Sequence, residues 1–92
     1  MIQSFADRTT QQFWNGRSIA RFTAFAKVAD RKLAQLDAAE QLEDLRIPPG
    51  NRLEALAGNR KGQHSIRINQ QFRVVFTWRD TRPEDVEIVD YH

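Results

Sequence analysis

The sequence predicts an α+β domain, with helices packed on one face of a small, mostly antiparallel twisted sheet. Three observations carry this. Phe22, Phe25, Ala29, Leu33 and Leu36 recur at spacings of 3, 4, 4 and 3, which draws one apolar stripe along a helix. Residues 63–69 and 72–79 instead alternate apolar and polar side chains, the period of a half-buried strand. Finally, beyond a short strand candidate at the N-terminus, two helical segments are followed by a run of hairpin-connected strands, an order that suits layered helices and hairpins better than alternating βαβ units.

The elements follow in order. Residues 2–5, IQSF, form a short strand candidate. Residues 8–16 are expected to make one or two helical turns, opened by Asp7 or Thr9 and closed by Gly16. The apolar stripe defines the long helix, whose other side carries Lys27, Arg31 and Gln35. Asp37 stands three before Glu40, a D-x-x-E pattern able to cap a new helix. The long helix should therefore break near Asp37, with a shorter one running to about Arg46 and stopped by Pro48 and Pro49. In the first strand His64, Ile66 and Ile68 share a face. In the second, Phe72, Val74, Phe76 and Trp78 do. VEIVDY, residues 86–91, supplies a third strand after the loop DTRPED.

Both apolar faces must meet the same core, so the hairpin register is constrained. A three-residue loop over 69–71 pairs Ile68 with Phe72 and sets Arg67 directly opposite Arg73. Directly opposed like charges repel. An anion held between the two guanidinium groups would remove that cost, and so would a carboxylate such as Glu54; the arginine fork favours the anion.

Composition narrows the chemistry. Ninety-two residues suit one small domain with a thin core. There is no cysteine, so disulfides and thiolate sites are excluded, and two distant histidines do not make a metal site. No apolar run reaches the roughly 18 residues of a membrane helix, and no signal peptide is seen; a cytoplasmic location without membrane attachment is expected. The net charge of +2 conceals a strong asymmetry. Residues 1–45 are neutral, with six cations and six carboxylates. Residues 46–82 hold Arg46, Arg52, Arg60, Lys61, Arg67, Arg73, Arg79 and Arg82 against Glu54 and Asp80, a net of +6. Residues 83–92 carry four carboxylates and no cation. A basic block rich in arginine points to nucleic-acid phosphate.

The stretch PPGNRLEALAGNRKGQHSIRINQQFRVVFTW, followed by VEIVDYH, resembles the HigB toxins of bacterial toxin–antitoxin pairs, within the RelE superfamily. The similarity is greatest to the plasmid-maintenance killer, GraT-like group, and DRKLAQLDAAEQLEDLR fits the helix before the conserved block. The resemblance implies a single toxin domain over residues 1–92 that cuts mRNA in the ribosomal A site, inhibiting translation and growth. It implies no cofactor. It also implies a helix-turn-helix, HigA-like antitoxin, the two forming a possible heterotetramer that contacts operator DNA through the antitoxin. Asp90, Tyr91 and His92 match the family's terminal D-Y-H, tied to RNA cleavage, and Arg73 matches an arginine facing the scissile phosphate. The chain departs from the family at Glu54 and Ala57, where other members carry a histidine and a lysine. That departure leaves the general base without its family residue or moves the role to Glu54. A ParE-like gyrase poison and a non-catalytic RNA-binding or interaction domain stay open as alternatives on the same fold.

RNA cleavage without a metal needs a base for the ribose 2′-hydroxyl, cations for the phosphorane and an acid for the leaving 5′-oxygen. Glu54 is the candidate base and His92 the candidate acid, its imidazole titrating near neutrality. Arg73 and Arg67 would hold the phosphate, with Arg52, Arg60, Lys61 and Arg79 along the RNA path. Tyr91 can stack on a splayed base or orient the substrate, and Asp90 can orient His92 or bind a base edge. His64 is read as a core or edge histidine, and Trp14 and Trp78 as core residues.

Overall fold

A computed structural model describes residues 1–91. Helix α1, Arg8–Trp14, is opened by Asp7, whose backbone is extended and whose carboxylate accepts from Thr10 N at 3.2 Å. Gly16, at φ 98°, turns the chain away after it. A 3₁₀ turn, Ala20–Phe25, runs directly into α2, Ala26–Ala38. The predicted stripe is buried throughout: Phe22, Ala29, Leu33 and Leu36 are fully enclosed and Phe25 nearly so. The helix ends where expected, but the D-x-x-E cap does not form. Ala39 is extended, and the next turn, Leu42–Arg46, is capped by Asp44, whose Oδ2 accepts from Glu40 N and Gln41 N at 3.0 Å each. Asp37 instead accepts from the Ile2 amide at 2.9 Å. A further 3₁₀ turn, Pro49–Asn51, follows.

The sheet has four antiparallel strands in the order β1-β2-β3-β4. These are β1, Glu54–Ala55; β2, His64–Arg67; β3, Phe72–Arg79; and β4, Arg82–Asp90. The hairpin register is the predicted one, with Arg67 opposite Arg73. Asn69 closes the loop through its side chain, whose Oδ1 accepts from Gln71 N and Phe72 N at 2.9 and 2.7 Å. Strand β1 was not predicted; it is two residues long and too short to show a period.

The IQSF strand reduces to one parallel bridge, Phe5 to Val86, flanked by bonds from Gln3 N to Pro83 O and Ala6 N to Val86 O, both 2.9 Å. Its partner explains why it stops. Pro83 has no amide to donate, and Asp85 sits at φ 51°, so the edge of β4 is kinked there.

The core lies between the helices and one face of the sheet. Ile66, Ile68, Val74, Phe76, Val86 and Ile88 meet Phe22, Phe25, Leu33, Leu36 and Leu45 there. Trp14 and Trp78 pack against this cluster as predicted. His64 stacks on Phe76 with centroids 6.2 Å apart, and its buried Nδ1 has no partner.

Where β4 passes α1, the fully buried Thr10 accepts from the Ile88 amide through Oγ1 at 3.0 Å. This bond satisfies a backbone donor that the sheet edge leaves over. Thr10→Val keeps the shape and strands that donor. It should cost about 1–3 kcal/mol, and a lowered thermal midpoint would register it; an unchanged midpoint would show the bond to be dispensable.

Candidate functional site

Pairing parity sorts the side chains between the two faces. Glu54 pairs with Ser65, Ser65 with Val75, and Val75 with Glu87, so one row crosses all four strands on the face away from the helices. The next row holds Arg67, Arg73 and Val89. On this open face Ser65 and Val75 are fully buried, and Leu56 nearly so, outside the main core.

Arg73 lies at the centre. Its side chain runs diagonally across β2, where Nη1 donates to Ser65 Oγ at 2.8 Å, and reaches β1, where Nη2 donates to Glu54 Oε1 at 3.0 Å. Nη1 also approaches the Arg52 carbonyl at 3.5 Å. The guanidinium carbon stands 5.3 Å from the Tyr91 ring centroid. Arg73 is thus only 13% exposed at its side chain, whereas Glu54 is 50% exposed.

Of the two ways to offset the Arg67–Arg73 repulsion, the structure displays the carboxylate one. The two guanidinium groups part company: Arg73 swings away to Glu54, and Arg67 turns to the hairpin loop, where Nε donates to Asn69 O at 3.0 Å. The repulsion is relieved inside the chain, by the carboxylate alternative.

Other predicted residues divide. Tyr91 joins the site, anchored by its amide to Gln71 O at 2.7 Å. Asp90 does not. It pairs with Phe72, so its side chain belongs to the helix face, and its carboxylate accepts from Gln71 Nε2 at 3.0 Å. The strand period that sends Tyr91 to one side sends Asp90 to the other. Arg52 and Lys61 are both exposed, Arg52 next to the site through its carbonyl and Lys61 in the turn between β1 and β2. Arg79 is at the far end of β3, roughly 20 Å from Arg73 at strand rise, where it faces Glu84 at 3.7 Å. It is not brought to the site. His92 lies outside the described residues.

Glu87 was missed by the sequence reading. It sits on the open face of β4 and faces Arg60 Nη1 at 3.8 Å, and that same nitrogen donates to Gln63 Oε1 at 3.2 Å. Arg60 thereby reaches from the turn before β2 toward β4. Parity along VEIVDY was the signal that could have found Glu87, once the register of β4 was known.

A second polar cluster stands behind the site. Lys32, on α2, is nearly buried, and its Nζ donates to Asn51 Oδ1 at 2.6 Å. The fully buried Asn51 donates through Nδ2 to Gln35 Oε1 and Leu45 O at 3.0 and 3.1 Å, with Ile47 O at 3.4 Å. Burial, and then the adjacent Arg31 charge, hold the Lys32 ammonium below its usual pKa of 10.5. A groove of about 350 Å³ on the helix side, lined in part by Arg17, Lys27 and Asp30, holds none of the predicted site residues.

A basic, arginine-centred open face on a four-stranded antiparallel sheet is the arrangement against which known proteins can be compared. Residues 3–92 match the family model described as the RelE-like toxin of type II toxin-antitoxin system HigB. The chain is 45% identical over 82 residues to Toxin HigB-1 of Vibrio cholerae serotype O1, covering 87% of this chain and 86% of that one. It is 41% identical over 54 residues to an uncharacterized protein of Haemophilus influenzae, covering 59% and 54% of the two chains. Among solved structures, the YoeB-YefM complex from Staphylococcus aureus contains a similar chain, with a TM-score of 0.59 at 20% identity and coverage of 100% and 98%. A heterotetrameric YoeB-YefM complex from the same organism gives 0.58. The fold is therefore that of the RelE-like toxins. The chain belongs to the HigB-like toxins of type II toxin–antitoxin systems.

The lowered Lys32 pKa has a consequence for stability. Between the folded value and 10.5, the unfolded chain binds the proton and the folded chain does not. Stability must then rise with pH across that window, and the cost of burying the charge is largest below it. Urea unfolding from pH 7 to 10.5 should show wild type gaining on Lys32→Met as pH rises. A flat or falling difference would mean that the ammonium is not disfavoured by burial.

Proposed function

We propose that this toxin is a ribosome-dependent endoribonuclease that cleaves mRNA in the A site without a metal ion, using the open face of the sheet. The observation that carries the reading is the seating of Arg73. A largely buried guanidinium is held by Glu54 and Ser65 and covered by Tyr91, so a cation, a carboxylate and a phenol converge on one exposed face of a basic domain.

The chemistry follows from those positions. The scissile phosphate is drawn to Arg73, with Arg67 beside it on the same face. Glu54, 3.0 Å from that guanidinium, takes the proton of the 2′-hydroxyl. The 2′-oxygen attacks phosphorus, Arg73 stabilises the extra charge of the phosphorane, and the 5′-oxygen leaves with a proton from His92. The products are a 2′,3′-cyclic phosphate and a free 5′-hydroxyl. Tyr91 stacks on a splayed base or contacts the phosphate through its hydroxyl. Arg52 and Lys61 extend the electrostatic track along the RNA, and Arg60, facing Glu87, is a contact residue on that track more than a source of long-range attraction. Asp90 lies on the opposite face, where its carboxylate accepts from Gln71 Nε2, and is given no contact with the substrate.

A toxin of this class requires a neutralising partner in the same cell. The partner proposed is a HigA-like helix-turn-helix antitoxin, in a heterotetramer that binds operator DNA through the antitoxin. Two Staphylococcus aureus structures of this fold are YoeB-YefM complexes, one of them a heterotetrameric toxin–antitoxin complex.

Single-turnover cleavage on programmed ribosomes tests the assignment. Arg73→Ala should abolish cleavage and growth inhibition, with no gain in thermal stability, because Glu54 already relieves the arginine repulsion. Glu54→Gln and deletion of His92 should each slow cleavage roughly a hundred- to ten-thousand-fold while ribosome binding survives. Tyr91→Phe separates the hydroxyl from the ring. A fully active Arg73→Ala chain would overturn the site.

A further inference from the structure

Glu54 stands on a strand of only two residues, at the edge of the sheet. Two paired residues supply too few backbone bonds to hold an element in place. Its C-terminal side is tied by Leu56 N to Gln63 O at 2.9 Å. Its N-terminal side is tied otherwise. Arg52 occupies the left-handed region at φ 46°, and just before it stands Asn51, fully buried and bonded to Lys32, Gln35 and the Leu45 carbonyl. The 48–52 turn also carries the Arg52 carbonyl that faces Arg73.

Lys32 is not explained by the core. A lysine this deeply enclosed is rare and costly unless its ammonium has a partner. A leucine or methionine would fill the same place on the α2 stripe without that cost. What the lysine adds is one direct bond, 2.6 Å long, from the helix layer to the residue three before Glu54.

We propose that Lys32 is a positioning residue of the active site: through Asn51 it fixes the segment 51–54, and so sets the Glu54 carboxylate and the Arg52 carbonyl against Arg73. It touches no substrate. The inference rests on the endonuclease reading for its catalytic consequence, and on geometry alone for its structural one. A carboxylate displaced by about an ångström loses its alignment with the 2′-hydroxyl, which lowers the rate of the chemical step and leaves the surface cations that bind the ribosome in place.

The test uses the full chain with Lys32→Met, assayed well below its unfolding midpoint, and Lys32→Gln, which restores an uncharged donor. Two readouts are taken. The first is amide hydrogen exchange. The amides of residues 54–56 should exchange faster in Lys32→Met, while those of residues 74–76 in the sheet centre keep their protection. The second is single-turnover mRNA cleavage with ribosome affinity measured alongside. The rate should fall roughly 10- to 100-fold with affinity nearly unchanged, and Lys32→Gln should recover part of it. If Lys32→Met does not fold, Lys32→Gln alone carries both readouts, with smaller changes in the same directions.

Unchanged exchange at 54–56 overturns the proposal, as does faster exchange with a wild-type cleavage rate, which would make the lysine a stability device only. A wild-type chain that does not cleave mRNA refutes the endonuclease reading instead. The exchange result would still decide whether Lys32 holds the segment.

Discussion

The bond from Arg73 to Glu54 is the contact on which the open face depends. Strand β3 is central and β1 is marginal, and the arginine spans the strand between them. It can do so because Ser65, the residue it crosses, is small and offers a hydroxyl at 2.8 Å. A larger residue at that position would lift the guanidinium off the sheet. The register of the β2–β3 hairpin then has a second effect. It places Arg67 so that the two arginines cannot both lie straight across the pair, and each leaves in its own direction. The strain between like charges thus helps to direct Arg73 toward the edge strand.

Much of the fold was legible because long elements advertise their period. The stripe from Phe22 to Leu36 and the alternation in β2 and β3 each span enough residues for burial to impose a pattern, and the register followed from the need to bury Ile68 and Phe72 together. Short elements carry no such signal. Strand β1 has two exposed residues and was invisible. The cap at Asp44 was not foreseen and the Asp37–Glu40 pair was read in its place, because the extended Ala39 that decides the matter has no residue signature.

The candidate site was legible in part for the same reason. Arg73 and Tyr91 could be placed by strand parity and by resemblance, and they do meet. Asp90 was grouped with Tyr91 because they are neighbours in a motif, yet neighbours in a strand point to opposite faces. Glu87 was passed over for the converse reason: it belongs to no motif, and only the pairing of β4 with Val75 brings it to the open face. The Lys32–Asn51 bond joins residues 19 apart on different layers, and no local pattern announces it.

The charge asymmetry can now be divided by task. Of the eight cations in residues 46–82, Arg46, Arg60, Arg73 and Arg79 each have a carboxylate within 4 Å. Arg52, Lys61, Arg67 and Arg82 have none among the described residues. Paired guanidinium groups are held in defined geometry but contribute little net field. Unpaired ones are free to attract a polyanion over a distance of about 10 Å at moderate salt. On the proposed reading, Arg52, Lys61 and Arg67 gather the RNA around the site, and Arg73, ordered by Glu54, meets the phosphate where alignment matters. The acidic β4 contributes to this division, because Glu87 and Glu84 each face one arginine and Asp90 lies on the other face. The acidic stretch thus cancels two of the arginines and leaves Arg52, Lys61 and Arg67 without a carboxylate partner among the described residues.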